Sequence, residues 1–181
     1  MSIASTAPLY ALSVHNLAKS YQLRRIVGPL NFSLNAGSIT GLLGGNGAGK
    51  TTTIGMIMGL IEPTEGSIHV LGYDMALERH RALEYMNFES PYVGLPYRLT
   101  VRQNLRIFGR LYNVEDLEEK IDSLAQELAL EPFLDRPTGK LSAGQKTRAS
   151  IAKSLLNDPK LLLLDRKSTR LNSSHTDISR M

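Results

Sequence analysis

The segment Gly44-Gly45-Asn46-Gly47-Ala48-Gly49-Lys50-Thr51 constrains this chain more than any other. Its glycines let the backbone curl so that successive N–H groups point inward, a geometry that holds phosphate oxygens. The spacing matches G-x-x-x-x-G-K-[ST], in which the lysine reaches the β- and γ-phosphates and the hydroxyl ligates Mg²⁺. An apolar run, Ile39-Thr40-Gly41-Leu42-Leu43, precedes the loop and reads as a short strand. Thr51 to Leu60 reads as a helix stopped by Glu62-Pro63, and its positive N-terminal end faces the same anion. A glycine-rich turn with an incidental lysine requires neither neighbour. The phosphate-binding set is therefore Gly44, Asn46, Gly47, Ala48, Gly49 and Lys50, with Thr51 on the metal and Thr52 near the α-phosphate.

Around the loop the pattern is that of an α/β protein. Leu12 and Val14 alternate with polar or small neighbours, as do Leu30, Phe32 and Leu34, so both runs read as strands with one buried face. Asn35-Ala36-Gly37 is a turn, and Gly66 to Gly72 reads as a return strand. The middle is helical. Asn113 is placed as an N-cap with Asp116 in the first turn, followed by Leu117, Ile121, Leu124 and Leu128 at helical spacing. A second helix starts at Ser142, with Gln145 completing a capping box, and ends at Asp158-Pro159. Leu161 to Asp165 is an apolar run closed by a carboxylate, the pattern of a parallel strand covered on both faces.

Composition narrows the function. A chain of 181 residues with 42% hydrophobic and 21% charged residues can bury a core and excludes collagen, coiled coil and wholesale disorder. The absence of cysteine removes disulfides, thiolate zinc sites and cysteine nucleophiles. No apolar run reaches membrane-spanning length, and Met1 to Ser5 lacks the basic-then-apolar order of a secretory signal. The net charge is +4, but Arg166, Lys167, Arg170 and Arg180 against Asp177 supply three of those charges. The remainder is close to neutral, so no nucleic-acid footprint is expected.

The loop, the pentapeptide Leu141-Ser142-Ala143-Gly144-Gln145 and the Leu161–Asp165 strand stand in the order found in ABC-transporter ATPases, which the chain resembles from Leu12 to Asp165. The pentapeptide is similar to the family's LSGGQ signature, with Ala143 replacing a glycine. The resemblance implies a phosphate-loop NTPase of ABC type: a partial parallel sheet, an N-terminal antiparallel β part and a helical insert over about 91–156, within a nucleotide-binding domain at 1–165. It implies ATP and Mg²⁺ as cofactors, and a head-to-tail dimer in which Ser142, Gly144 and Gln145 of one subunit reach the γ-phosphate held by the other. Ser142 and Gln145 also serve as an ordinary helix cap, and the two roles are compatible. Tyr21 lies where the family places a ring against adenine; a core or surface tyrosine is the alternative. Asp165 corresponds to the Walker B aspartate, a second metal residue beside Thr51.

The chain departs from the family in two places. Met86-Asn87-Phe88-Glu89-Ser90-Pro91 lacks the metal-sensing glutamine, and either Glu89 or Ser90 stands in for it; Gln103 lies too far along. After Asp165 the family has a glutamate that polarises water, and here that position is Arg166, which cannot act as a base, leaving the catalytic residue unknown. No switch histidine is recognisable, since His175 lies in an unrelated polar context. Residues Asp165 to His175 can be read codon by codon as a common sequencing-library adapter, and Thr176 to Met181 fit its index and following bases. On that reading the native sequence stops at Leu164, Asp165 is supplied by either source, and residues 166–181 are a non-native, exposed tail. The family's C-terminal strands are then missing, which leaves Leu161–Leu164 short of a neighbouring strand.

The function expected is that of the ATP-binding subunit of a transporter, peripheral on the cytoplasmic face of the inner membrane. Its partners would be a second ATPase subunit and membrane permease subunits, with no nucleic acid. As written, the chain is expected to bind ATP without hydrolysing it. The alternatives are a soluble, non-transporter ABC ATPase and a non-catalytic nucleotide-binding module.

Overall fold

The computed structural model describes residues 10–90 and 94–165. β1 (Leu12–Tyr21) and β2 (Arg24–Leu34) form an antiparallel hairpin in which Leu12 faces Leu34 and Val14 faces Phe32. Period-two alternation buries Leu12 and Val14 on the inner face. β3 (Glu65–Val70) joins the other edge of β1, and β4 (Tyr73–Asp74) pairs beyond it, giving the order β2-β1-β3-β4. The β3–β4 turn is Leu71-Gly72, with φ of 52° and 85°. Positive φ at both positions gives the twist that antiparallel neighbours require, and a glycine takes the second at no steric cost.

α1 (Lys50–Ile57) packs Met56 and Ile57 into one core with Leu12, Leu17, Val27 and Val70. After the short α2 (Arg79–Leu83), β5 (Met86–Glu89) pairs in parallel with β6 (Leu161–Leu164), Met86 beside Leu161 and Glu89 beside Leu164. Met86 and Leu161 enter that same core, which joins the two sheets. The second core is helical. α3 (Val101–Leu111), α4 (Leu117–Glu127) and α5 (Ala143–Leu155) enclose Val101, Leu105, Ile121, Leu130 and Leu156. Thr100 and Gln103 form a reciprocal capping box at the start of α3, so the Gln103 side chain is committed to that cap.

The structure corrects three local expectations. Ile39 to Leu43 is not a strand; Ile39 is 103% and Leu43 91% exposed. An extended segment becomes a strand only by bonding to a neighbour, and no described strand runs beside it. Asn113 does not cap α4. It follows the last turn of α3 with φ of 54°, a left-handed stop that asparagine tolerates, and Asp116 takes the N-cap position. β6 is covered less than its four leucines suggest. Leu161 is buried and Leu164 is 56% exposed, because only β5 lies beside it among the described residues. Arg166, His175 and the rest of 166–181 lie outside the described residues.

Candidate nucleotide site

The phosphate loop is shaped by two left-handed glycines. Gly47 has φ of 80° and open space around it; Gly49, the N-cap of α1, has φ of 81° and is buried. A Cβ at Gly49 would lie 2.5 Å from Val27 Cγ2 and 2.9 Å from the Ile26 carbonyl oxygen. The loop therefore rests directly on β2, and only glycine fits there. The buried Thr53 hydroxyl donates to the Gly49 carbonyl at 3.0 Å and pins the first turn of α1 to the loop. Ala48 N–H donates to the Gly45 carbonyl at 3.2 Å and closes the curl.

Lys50 completes the loop. Its ammonium donates to the carbonyls of Gly44 at 2.7 Å and Gly45 at 2.8 Å, so the side chain folds back over the curl. Residues 44–48 and Thr51 are exposed, and Thr52 is half-buried. A Cβ at Gly45 or Gly47 would meet nothing, which leaves room for an anion over the loop. The charged lysine, the helix N-terminus and the open concavity fit a polyphosphate. For Mg²⁺ the matching donors are hard oxygens, the Thr51 hydroxyl and the Asp165 carboxylate.

Tyr21 ends β1, half-exposed rather than in the core, with Lys19 Nζ 5.1 Å from its ring centroid. It belongs to the hairpin whose other strand backs Gly49. The signature pentapeptide sits elsewhere. Ser142 caps α5, its hydroxyl accepting from Gln145 N–H at 3.3 Å while Gln145 Oε1 accepts from Ser142 N–H at 2.9 Å. Ser142 and Gly144 are exposed, and nothing lies within 4 Å of a Cβ built at Gly144. α1 belongs to the mixed core and α5 to the helical one, so the loop and the pentapeptide are carried on different halves of the molecule.

Asp165 is half-buried just past β6, and its N–H donates to the Glu89 carbonyl at 2.9 Å. The Glu89 carboxylate is engaged elsewhere. Lys153 Nζ lies 2.7 Å from its Oε2, a charge contact rather than an aligned hydrogen bond, and the Ser150 hydroxyl bonds its Oε1. Lys153 was missed from the sequence. The available signal was its place on the buried stripe Ala149, Ala152, Lys153 and Leu156, where a lysine needs a partner. Ser90 lines a pocket of about 260 Å³ with Met58, Leu83, Met86, Phe88 and Lys153.

A glycine-cradled lysine at a helix start, set on an α/β frame, defines a phosphate-loop nucleotide-binding protein. The profile of the family described as "ABC transporter" matches residues 27–168, and the chain belongs to that family. Nod factor export ATP-binding protein I of Rhizobium meliloti (strain 1021) is 36% identical over 94% of this chain and 52% of its own length. Its namesake from Sinorhizobium fredii is 37% identical over 90% of the chain and 48% of its own length. The chain thus spans about half the length of the curated relatives it matches. An ATP-binding subunit of an ABC transporter superposes with a TM-score of 0.75 at 29% identity, over 86% of this chain and 66% of that one. CbiO1 of Clostridium perfringens, described as part of the ABC transporter complex cbiONQ, gives 0.78 at 28% identity, over 88% and 66%.

Proposed function

We propose that the chain is the nucleotide-binding part of a transporter's ATP-binding subunit, and the phosphate loop seated on β2 is the observation that carries this. The loop amides and Lys50 hold the β- and γ-phosphates, Thr52 approaches the α-phosphate, and the Tyr21 ring stacks on the base. Thr51 and Asp165 are the residues that would hold Mg²⁺, which when bound neutralises charge on the phosphates. Ser142, Gly144 and Gln145 project from a separate, open helix start, as an element offered to a second subunit must. In a head-to-tail dimer they would close over the γ-phosphate, and separation after hydrolysis would drive a permease. The unit spans 1–165, with its helical insert over about 91–156, and works peripherally at the cytoplasmic face of the inner membrane. The relatives named for export support an exporter, and CbiO1's place in a multi-subunit complex supports membrane partners.

With Arg166 at the position of the family's water-polarising glutamate, the chain binds ATP without turning it over. Titration with a fluorescent ATP analogue tests the site. Lys50→Ala is expected to weaken binding at least about tenfold, the loss of a charge-assisted contact of about 1.5–3 kcal/mol. Equal binding by both proteins would remove the loop from the site. Phosphate release above the Lys50→Ala control would contradict the second half of the reading.

A further inference from the structure

Lys19 and Tyr21 stand two residues apart at the end of β1, the spacing that puts side chains on one face of a strand. The Lys19 ammonium lies over the Tyr21 ring, 5.1 Å from its centroid. It is held there, because it donates to the Glu62 carbonyl at 2.7 Å. The neighbouring backbone is stitched to the same turn. Thr64 N–H donates to the Ala18 carbonyl at 2.9 Å, and Ser20 N–H donates to the Thr64 hydroxyl at 3.1 Å. That turn continues from α1. The N–H groups of Leu60 and Ile61 both donate to the Gly55 carbonyl, at 2.9 and 3.1 Å, and a Cβ at Gly55 would lie 2.8 Å from Ile61 Cδ1. The phosphate loop opens the same helix at Lys50. Lys19 therefore fastens the Tyr21 ring to the element that also carries the phosphate cradle. An ammonium this close to a ring centroid is drawn to the ring face. It takes up one face of Tyr21, and the half-exposed ring keeps the other open.

From this geometry we propose that Lys19 is a positioning residue for nucleotide binding: it fixes the Tyr21 ring with one face covered and presents the other to the base. The inference rests on the reading of Tyr21 as the base platform and adds the residue that aims it. A ring restrained before the nucleotide arrives loses less freedom on stacking. The cation on its far side also draws ring electrons away from the facing base, which eases repulsion between the two π clouds. Lys19 acts through Tyr21 and not on the phosphates.

Displacement of a fluorescent ATP analogue from the whole chain tests it, with ATP and inorganic tripolyphosphate as the two competitors. Tripolyphosphate reads the phosphate loop without a base. Lys19→Met keeps the length of the side chain and removes the charge. It is expected to weaken ATP about two- to fivefold, the scale of a partly exposed cation over a ring, and to leave tripolyphosphate unchanged. Lys19→Arg, which keeps a cation over the ring, is expected to hold ATP close to the unaltered chain. In a Tyr21→Ala background Lys19→Met is expected to cost nothing further, because the ring through which it acts is gone. No loss of ATP affinity in Lys19→Met overturns the inference. So does an equal loss for ATP and tripolyphosphate, or a loss that persists without Tyr21, since either would mean that Lys19 acts on the phosphates or on the fold. Two other results strike the reading underneath and the inference with it: Tyr21→Ala binding ATP as well as the unaltered chain removes the base platform, and Lys50→Ala binding tripolyphosphate equally well removes the phosphate loop.

Discussion

Gly47 and Gly49 share a backbone conformation and differ in surroundings, and that difference separates conformational strain from steric exclusion. Alanine at φ near +80° costs about 1–2 kcal/mol, since a Cβ crowds the following carbonyl in the left-handed region. At Gly47 that is the whole penalty, because a Cβ meets nothing within 4 Å and the loop is exposed. At Gly49 the new methyl would also lie 2.5 Å from Val27 Cγ2 and 2.9 Å from the Ile26 carbonyl. Overpacking of this kind adds about 1–3 kcal/mol, so Gly49→Ala is expected to cost about 2–5 kcal/mol. Gly45, with no positive φ and open space, serves as the control. Urea unfolding with matched slopes reads the stability change, and titration with an ATP analogue reads the loop. The expected order of destabilisation is Gly49→Ala, then Gly47→Ala, then Gly45→Ala near neutral. Gly47→Ala should weaken analogue binding more than it weakens the fold, because an exposed loop relaxes out of the binding conformation. Equal midpoints for Gly49→Ala and Gly47→Ala would refute the claim that β2 sets the loop's position.

Two further outcomes follow from local chemistry. Ser142→Ala removes the hydroxyl that accepts from Gln145 N–H and should cost about 1 kcal/mol in thermal or urea unfolding, with Ser142→Asp restoring most of it; no loss would mean that the cap does not hold α5. Glu118 is held below the usual carboxylate range by its hydrogen bond to Arg106, with Arg102 adding to it. A lowered folded value means the contribution is present at neutral pH and fades as pH falls through the carboxylate range. Both partners are surface groups, so Arg106→Gln should flatten the acid limb of stability slightly and leave the neutral plateau nearly unchanged. An acid limb of unchanged steepness would count against the pairing.

Much of the site could be read from residue order, because its chemistry is local. The glycine spacing, Lys50 and the Ser142–Gln145 cap each act within a single turn of chain, and the structure shows the left-handed glycines and the reciprocal cap those residues call for. Parts of two strands, around Leu12–Val14 and Leu30–Leu34, were readable for the same reason, since alternation along one strand records which face is buried; their full extents, Leu12–Tyr21 and Arg24–Leu34, were not. What only the tertiary structure decided depends on partners distant in sequence. Ile39–Leu43 has a strand's composition, yet with no neighbour among the described residues its backbone has no ladder to join there. Asn113 and Asp116 are both good capping residues, and the packing of α3 against α4 assigned the first to a stop and the second to a start. Gly47 and Gly49 are indistinguishable in the motif, and only the approach of β2 makes one of them indispensable. Glu89 and Lys153 stand 64 positions apart, and neither charge reveals its partner until β5 and α5 are packed together, because burial rather than sequence is what forces the two to pair.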